Sequence, residues 1–547
     1  MKIEITQFQG AFPAVHPEQL TERAATVAQN TDFSAASLRP LLGRSAVSGV
    51  SVDTGTKAIY HYRHGGGAYW LQFPDVVDVI SSPIKDDTNS RLYWSGDSRG
   101  SGDVLFSYFP HITDSPQVRF KLGIPAPTAP ASITSFDSGV SGTSDESRTY
   151  VYTWVNAIGE ESPPSPPSVQ VIVFTTGASV VLSIPPLPPA VATGRQITKA
   201  RMYRSIVGST GAASFVLVTE LPIATATYTD TYATTELNGA ELVTTNYDPP
   251  RSGLQGLGLT AYGVAYGFTE KIVCLSQPFH VYAWPRDYEL TTQYPIVAMG
   301  HFDNSIVAAT KGTPVMITGI DPSQGLSMME IPLNEPCASK RSMVSMGHAA
   351  IYASPRGLVM VSGNGAQLIT QGLFALSDWQ AMNPASVHAI EHRGRYVAFW
   401  KSGDTSGAFS LDPLNLQAGV MVLPWSGDFA IRDLPDDQMM VLQGGAFWSL
   451  DDRPSAEKSP YVWRSKVFRV GGTMGNRLLA ARVLATDYQD IALRVWADGR
   501  QIADVCPSSG RVLGLRVHSP AQTYQLELSG TSEVSSVILA STPGELR

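Results

Sequence analysis

The sequence predicts an all-β protein with a β-propeller core, an inserted fibronectin III or immunoglobulin-like β-sandwich, a C-terminal β-sandwich and one short N-terminal helix. Three observations lead to this prediction. Short runs rich in Val, Ile, Tyr and Trp alternate with Gly, Pro, Asp and Ser along most of the 547 residues. A strand–turn–strand unit recurs at a regular spacing, and two proline-rich joints enclose a segment of different character.

The N-terminal helix is predicted over residues 17–30, "PEQLTERAATVAQN". Leu20, Ala24, Val27 and Ala28 fall on one face at helical spacing. A proline at the start suits a first helical turn, and an asparagine at the end suits a C-terminal stop.

The repeat is marked by turn glycines at Gly312, Gly357, Gly403 and Gly445, each between two apolar runs. A related unit lies one step upstream, at Gly263. A period of about 40–50 residues with four strands per unit is typical of a propeller blade. One blade cannot bury both of its faces, so neighbouring blades must stack. We expect five to seven blades, and a set of unrelated hairpins in a sandwich remains the alternative.

The inserted module is predicted over 125–247, between the joints "LGIPAPTAPAS" and "NYDPPRSGLQG". Tyr150, Tyr152 and Trp154 alternate with small residues, which predicts a strand with one aromatic face. The continuation "NAIGEESPPSPPS" is typical of the edge of a fibronectin III or immunoglobulin-like sandwich.

The pattern changes again near Tyr461, where strands with tight turns such as "ADGR" predict a C-terminal sandwich. The predicted division is 1–124 for the N-terminal segment and first blade or blades, 125–247 for the insert, 248–460 for the remaining blades, and 461–547 for the C-terminal sandwich.

Composition excludes several classes of protein. The net charge is −8, from 39 Lys and Arg against 47 Asp and Glu, which argues against nucleic-acid binding by bulk attraction. No apolar run reaches the roughly 18 residues of a membrane-spanning helix, and the N-terminus lacks the features of a secretory signal. Cys274, Cys337 and Cys506 fit neither a disulfide framework nor a zinc spacing, and we expect buried free thiols in a reducing cytoplasm.

Two motifs together imitate a serine hydrolase: "HGGG" from His64 and "GDSRG" from Gly96, with Ser98 in the place of the nucleophile. That chemistry needs a helix directly after the serine. The residues that follow, "GSGDVLFSYF", predict a glycine-rich turn leading into a strand. We therefore interpret the segment as a hairpin turn.

Three further motifs are also weak. "HAIEH", from His388, matches a zinc-protease pattern, but it lies in a predicted strand, where His388 and His392 share a face and Glu391 points away. We interpret these as surface or cross-strand histidines. Residues 339–342, "SKRS", predict a solvated or interface loop, and 253–258, "GLQGLG", a linker. We predict no catalytic residue, no cofactor, no metal site and no enzymatic activity.

Several longer segments resemble the tail nozzle, or tail tubular, proteins of short-tailed bacteriophages, in the same order along the chain. They are "ITQFQGAFPAVHPEQLTERAATVAQNTDFSAASLRPL", "YHYRHGGGAYWLQF", "RLYWSGD", "VRFKLGIPAP", "RTYVYTWVNAIGEESPPSPPS", "SQPFHVYAWPRDYEL", "CASKRSMVSMGHAAIYASPRGLVMVS" and "VILASTPGEL". The first is similar to the family's N-terminal clamp. The chain departs from the family in loop lengths and in the Ser/Thr-rich tip of the insert.

The resemblance implies a structural virion protein in the phage tail, assembled in the host bacterial cytoplasm. Six copies would form a ring below the adaptor and portal, with tail fibres or a needle and a host receptor as further partners. Genome DNA would pass through the lumen during ejection without sequence-specific binding, and the ring would not insert stably into a membrane. Six times −8 is about −48, and an acidic lumen wall would repel phosphates.

Two other function classes remain open. A tail-associated carbohydrate-binding or depolymerase propeller would need paired carboxylates roughly 5–10 Å apart. Asp451 and Asp452 are candidates, although adjacent strand residues point to opposite faces. A secreted β adhesin unrelated to phage is the third class.

Overall fold

The architecture comes from a computed structural model that describes residues 1–33, 37–207, 213–319, 321–433, 435–451, 457–471, 475–517 and 519–546. These residues form 46 strands and two short α-helices, so the predicted all-β class is confirmed. The chain divides into two compact units. The first unit is Met1–His61, Val297–Ile317 and Met329–Arg547, and the second unit is Tyr62–Ile296 and Thr318–Met328.

The N-terminal region is built of short strands. They are β1 (Lys2–Ile5), β2 (Ala25–Gln29), β3 (Thr31–Asp32), β4 (Arg39–Pro40) and β5 (Ser45–Ala46), followed by a hairpin of β6 (Ala58–His64) and β7 (Gly67–Phe73).

The predicted helix over 17–30 is wrong, because its C-terminal part is strand β2. Strand β2 pairs antiparallel with Tyr461–Ser465, with a β-bulge between Ala25 and Val27. The bulge shifts the alternation of the strand, so Ala25 and Ala28, three residues apart, are both fully buried. Apolar residues at a spacing of three imitate a helix in the sequence.

The second unit contains a four-stranded antiparallel sheet in the order β11-β10-β9-β8. Its strands are β8 (Asp78–Ser81), β9 (Leu92–Ser95), β10 (Leu105–Ser107) and β11 (Phe120–Lys121).

The insert follows as a sandwich of two three-stranded sheets, β12-β16-β19 and β14-β17-β18, with the pair β13-β15. Its elements are β12 (Ser132–Asp137), β13 (Asp145–Arg148), β14 (Tyr150–Asn156), β15 (Val171–Phe174), β16 (Ser179–Ser183), α1 (Pro189–Arg195), β17 (Ile197–Val207), β18 (Ala213–Pro222) and β19 (Thr227–Asp230). All of them lie inside the predicted range 125–247.

Strand β14 is buried on both faces, not only on its aromatic face. The proline-rich segment runs alongside it through three serines spaced three apart. The backbone N–H groups of Ser162, Ser165 and Ser168 donate to carbonyl oxygens of β14 at 2.8–2.9 Å. Their hydroxyls accept the N–H groups of Trp154, Tyr152 and Tyr150 at 2.9–3.1 Å. A proline-rich segment, which has few N–H groups of its own, thus satisfies backbone groups on the outer side of β14, the edge strand of its sheet.

After the insert, the chain forms five successive groups of four neighbouring strands; four of them are separate sheets, and the fourth group is part of a ten-stranded sheet. The first contains β20 (Gln255–Leu259), β21 (Ala265–Thr269), β22 (Ile272–Leu275) and β23 (Leu290–Thr291). The second contains β24 (Ile296–Phe302), β25 (Ser305–Thr310), β26 (Val315–Thr318) and β27 (Ser327–Glu330), and the third contains β28 (Val344–Ser345), β29 (Ala349–Ser354), β30 (Gly357–Ser362) and β31 (Gly365–Leu368).

Helix α2 (Leu376–Ala381) leads to the fourth of these groups, β32 (His388–His392), β33 (Arg395–Ser402), β34 (Thr405–Leu411) and β35 (Met421–Leu423). The fifth contains β36 (Phe429–Asp433), β37 (Gln438–Gln443) and β38 (Ala446–Leu450), and the N-terminal β5 is its fourth strand.

The repeat glycines occupy equivalent places in these sheets. Gly312, Gly357, Gly403 and Gly445 all lie at the connection between the second and third strands of their sheets. Gly263 does not, because it lies between the first and second strands of its sheet. The repeat therefore reports blade geometry, as predicted, in four of its five units.

The C-terminal region forms a sandwich that includes N-terminal strands. Its own strands are β39 (Tyr461–Ser465), β40 (Phe468–Arg469), β41 (Ala480–Ala485), β42 (Ile491–Ala497), β43 (Arg500–Val505), β44 (Leu513–Gly514), β45 (Thr523–Gly530) and β46 (Val534–Ala540). One sheet has the order β1-β46-β41-β44. The other runs β32-β33-β34-β35-β2-β39-β45-β42-β43, so it includes the fourth group of strands described above. The predicted domain division places residues 1–124 and 461–547 in separate domains. It does not include the pairing of the N-terminal strands β1 and β2 with strands of the C-terminal sandwich.

Candidate functional site

The serine of the "GDSRG" motif lies in a capped turn. Ser98 begins a single 3₁₀ turn, Ser98–Gly100, and a further turn leads into β10. Its hydroxyl donates to Asp75 Oδ2 at 2.5 Å. Asp97 caps the turn by accepting the Arg99 N–H at 3.0 Å. No α-helix starts here to support an oxyanion, so the interpretation of this segment as a turn is confirmed.

The "HGGG" motif is the turn between β6 and β7. His64 Nδ1 lies 2.7 Å from the Ser90 hydroxyl, and the His64 ring stacks on Phe109 at a centroid distance of 4.0 Å. Gly65 and Gly66 have φ values of 55° and 82°, which the reversal of the chain requires. His64 and Ser98 bond to different partners and do not form a nucleophile–base pair.

The histidines of "HAIEH" are on a strand, as predicted, but they are buried rather than on the surface. His388 and His392 are 8% and 6% exposed. The His388 ring stacks on Phe399 across the strand pair at 4.9 Å. Burial, together with the nearby Arg341, lowers the pKa of His388 to about 3. His388 is therefore neutral near pH 7, and both histidines are core side chains that belong to no metal-binding cluster of the described residues.

The carboxylate of this motif, Glu391, already has structural partners. Glu391 accepts the Gly394 N–H at 2.7 Å and pairs with Arg432. A carboxylate fixed in this way does not match the general base of a metalloprotease. In the described ranges no group of three or more His, Cys, Asp or Glu side chains could hold a metal ion.

Of the candidate carboxylate pair, the described member, Asp451, has structural partners. Asp451 accepts the Leu42 N–H at 3.2 Å and pairs with Arg393. Asp452 lies outside the described residues. Asp451 therefore links the N-terminal segment to β32–β33 through its charge and hydrogen bonds, which is a structural role.

The "SKRS" segment is an internal joint, not a solvated loop. Ser342 is fully buried; its hydroxyl accepts the Ala353 N–H at 2.9 Å, and its carbonyl accepts the Tyr396 hydroxyl at 2.8 Å. Arg341 donates to the Asp428 carbonyl at 2.9 Å, and burial lowers the pKa of Arg341. The segment thus connects three of the four-stranded groups.

The remaining motifs are structural as well. "GLQGLG" is not a linker, because β20 begins inside it, and a Cβ on Gly258 would lie 2.2 Å from the Tyr266 ring. All three cysteines are free; Cys274 and Cys337 are buried as predicted, whereas the prediction is wrong for Cys506, which is exposed. Burial raises the pKa of Cys274 and of Cys337 to about 12, so neither thiol is ionised near neutral pH.

Sequence reasoning missed a buried charge network inside the insert. Arg204 and Asp230 are both fully buried and pair at 2.7 Å, and the Tyr150 hydroxyl donates to the same carboxylate at 2.8 Å. Arg148, 1% exposed, lies 3.8 Å from Asp230 and pairs with Glu146 at 2.5 Å. The three side chains that meet at Asp230 lie 26 to 82 positions before it, so no local pattern indicated the network.

A second unpredicted feature is a ladder of charges across the C-terminal sandwich. Arg464, Glu527, Arg494 and Asp504 lie opposite one another on four adjacent strands, β39, β45, β42 and β43. Their ion pairs measure 2.6, 2.8 and 3.2 Å in that order. Opposite charges in cross-strand register stabilise a sheet and leave the ladder neutral.

In each candidate motif, the charged groups that the structure describes interact with other residues of the same chain. These interactions are structural. No helix among the described residues is long and apolar enough to span a membrane.

Comparisons with known proteins add no family. No family model matches the chain, and no curated protein matches it. Among solved structures, the chain is similar to the AfRom2 CNH domain, with 9% identity over 59% of this chain and 93% of that chain and a TM-score of 0.24.

It is also similar to BBS1N in complex with ARL6DN, with 9% identity over 76% of this chain and 96% of that chain and a TM-score of 0.27. A third likeness is to apo AztD from Citrobacter koseri, with 12% identity over 71% and 98% of the two chains and a TM-score of 0.27. Scores this low carry no argument about function.

Proposed function

We propose that the protein is a structural virion subunit, the tail nozzle of a short-tailed bacteriophage, and that it forms the distal channel through which the genome leaves. The proposal starts from the resemblance of eight segments to that family. The structural observation that supports it most is the position of the N-terminal segment, which the resemblance identifies as a clamp.

This segment bridges two parts of the first unit. Strand β2 lies between β35 and β39 in one hydrogen-bonded sheet. Earlier in the same segment, the N–H groups of Gly10 and Ala11 donate to the carbonyls of Ala418 and Val420 at 2.6 and 2.8 Å. Backbone bonds therefore join a blade sheet to the sandwich. We propose that this joint holds the blade and the sandwich together in a subunit along which DNA passes.

The contacts of the candidate catalytic residues also support a role without catalysis. Ser98, Glu391 and Asp451 each bond to a structural partner. Among the described residues, neither Ser98 nor Glu391 has beside it the second catalytic group that its motif would require. We propose that the protein is not an enzyme. The same finding removes support from the depolymerase alternative, because Asp451 is neutralised by Arg393.

Composition fits the proposed assembly. Charged residues make up only 16% of the chain, and large permanent subunit interfaces are depleted in charge. We propose a homohexameric ring that contacts the adaptor and portal complex above it and fibres or a needle below. Its net negative charge would reduce adhesion of passing DNA.

Two measurements test this function. Antibodies against the full chain, applied to purified virions, are expected to label the distal end of the tail; labelling of the capsid, or absence of the chain from particles, would overturn the proposal. An electrophoretic mobility-shift experiment at about 50 mM salt is expected to show weak binding of duplex DNA to the protein. Tight, salt-sensitive binding would contradict the non-adhesive channel.

A further inference from the structure

The insert meets the first blade sheets through a short loop at the end of β14, entirely within the second unit. The loop is closed by Asn156 and Glu160. Asn156 Nδ2 donates to Glu160 Oε2 at 2.9 Å, and the Glu160 N–H donates to Asn156 Oδ1 at 2.8 Å. Gly159, with φ 86°, completes the turn. The loop is thus a preformed tip on a rigid sandwich.

The tip packs into the blade core. Ile158 packs against the cluster of buried side chains from β8–β11, β20–β22 and Val281–Trp284. Two further bonds join the same parts: the Tyr108 hydroxyl donates to Gln196 Oε1 at 2.6 Å, and Arg195 Nε donates to the Gly123 carbonyl at 2.8 Å. Glu160, two residues after Ile158, lies in this interface and is 3% exposed.

The groups that face Glu160 compensate the negative charge of its ionised carboxylate only weakly. Arg91 is the nearest cation, and its Nη1 lies 3.5 Å from Glu160 Oε1. Arg91 has a closer partner in Asp87, at 2.8 Å, which places a second carboxylate nearby. The other facing groups are the buried phenols of Tyr93 and Tyr282, whose pKa values Glu160 helps to raise after burial itself.

The neighbouring acid does not share this environment. Glu161 pairs with Arg201 at 2.6 Å and accepts the Tyr203 hydroxyl at 2.7 Å, both on the insert's own sheet. Both adjacent acids lie near Tyr282 of the blade core, but Glu161 has its own close cation on the insert, whereas Glu160 depends on the shared and more distant Arg91.

We propose that this loop is a pH-dependent dock: residues 156–160 seat firmly on the blade sheets when Glu160 is neutral and loosen when Glu160 is ionised. The inference does not depend on the proposed function. It concerns the hold of the inserted sandwich on its neighbouring sheets, and it would apply to any assembly in which the insert has to move.

The direction of the effect follows from burial. Burial raises the pKa of Glu160 to about 7, and the partial compensation by Arg91 and Asn156 does not reverse this. A carboxyl whose pKa is higher in the docked state binds its proton more tightly there, so docking is strongest below the ordinary carboxyl range and weakens as pH rises through 7. This is the opposite of a surface ion pair, which weakens in acid.

Hydrogen exchange of the full-length protein, followed by mass spectrometry at pH 6 and pH 8, tests the dock. After correction for intrinsic exchange, protection of 156–160 is expected to fall about tenfold between these pH values. Glu160→Gln, which cannot ionise, is expected to keep the same protection at both. Glu241→Gln, an exposed acid in the same unit, is the matched control and is expected to behave as the native chain.

Two outcomes would overturn the proposal: a native profile that does not change with pH, or an equal change in Glu160→Gln. The pH dependence of protection in the native chain tests the proposal even if Glu160→Gln does not fold. Ile158→Ala provides a second variant; it is expected to lower protection at both pH values while leaving their ratio at about ten, and a ratio near one in this variant would also count against the dock.

Discussion

Gly10 and Gly419 approach each other backbone to backbone. A Cβ on Gly10 would lie 2.7 Å from the Val420 carbonyl oxygen, and a Cβ on Gly419 would lie 2.7 Å from the Gly10 carbonyl carbon. These residues are 409 positions apart, and their contact seats the N-terminal segment against the chain just before β35. Only glycine fits on both sides of such a contact.

The first prediction concerns this contact. Gly10→Ala places its methyl group against backbone that cannot move aside, so we expect a loss of about 2 kcal/mol in the free energy of unfolding, measured by chemical denaturation. Gly363→Ala is the control, because a Cβ there meets nothing within 4 Å. Equal stability of the two variants would show that the close approach is not a constraint.

The buried network of the insert gives the second prediction. Asp230→Asn leaves Arg204 and Arg148 without their shared carboxylate, and we expect a loss of about 3–5 kcal/mol. The matched control is Glu220→Gln, which removes exposed ion pairs to Lys199 and Arg201 and is expected to cost less than about 1 kcal/mol. Thermal unfolding of the full chain distinguishes them, and similar values for both would refute a structural network.

The third prediction concerns the acid dependence of the turn at Ser98. Burial alone would raise the pKa of Asp97, but hydrogen bonds from Arg99 and Trp94 together lower it. The stability contributed by ionised Asp97 is therefore present above its ordinary pKa and is lost as pH falls through the lowered value. Asp97→Asn is expected to be less stable than the native chain at pH 7, with the difference shrinking at pH 3. A difference that grew in acid would contradict this assignment.

The fourth prediction separates a structural serine from a nucleophile. Ser98→Ala removes one exposed hydrogen bond to Asp75, so we expect a change in unfolding free energy below about 1 kcal/mol. Neither the native chain nor the variant is expected to hydrolyse ester or polysaccharide substrates. Any hydrolysis that the native chain performs and Ser98→Ala does not would make the protein an enzyme.

The blade sheets were predictable because their signal is local. Gly312, Gly357, Gly403 and Gly445 lie between strands that pair with their immediate neighbours, so turn chemistry and spacing were sufficient. The alternating aromatic residues of β14 were predictable for the same reason. Burial of the opposite face of β14 depends on the proline-rich segment that runs beside it, and alternation alone could not indicate this.

The errors arise where distant segments pair. The predicted helix over 17–30 failed because a bulge in β2, opposite β39, buries Ala25 and Ala28 three residues apart. His388 and His392 are buried because other strands cover β32, which the local pattern does not record. The Glu160 environment needs a loop of the insert and a residue 69 positions earlier, so only the folded chain displays it.

The central claim, that this chain is a subunit of a tail channel, is tested most directly by electron microscopy of tails purified from virions, with the chain located by a tag. We predict a ring of six copies around an open bore at the distal end of the tail. A single copy or an unringed globule, with no bore through it, would contradict the account.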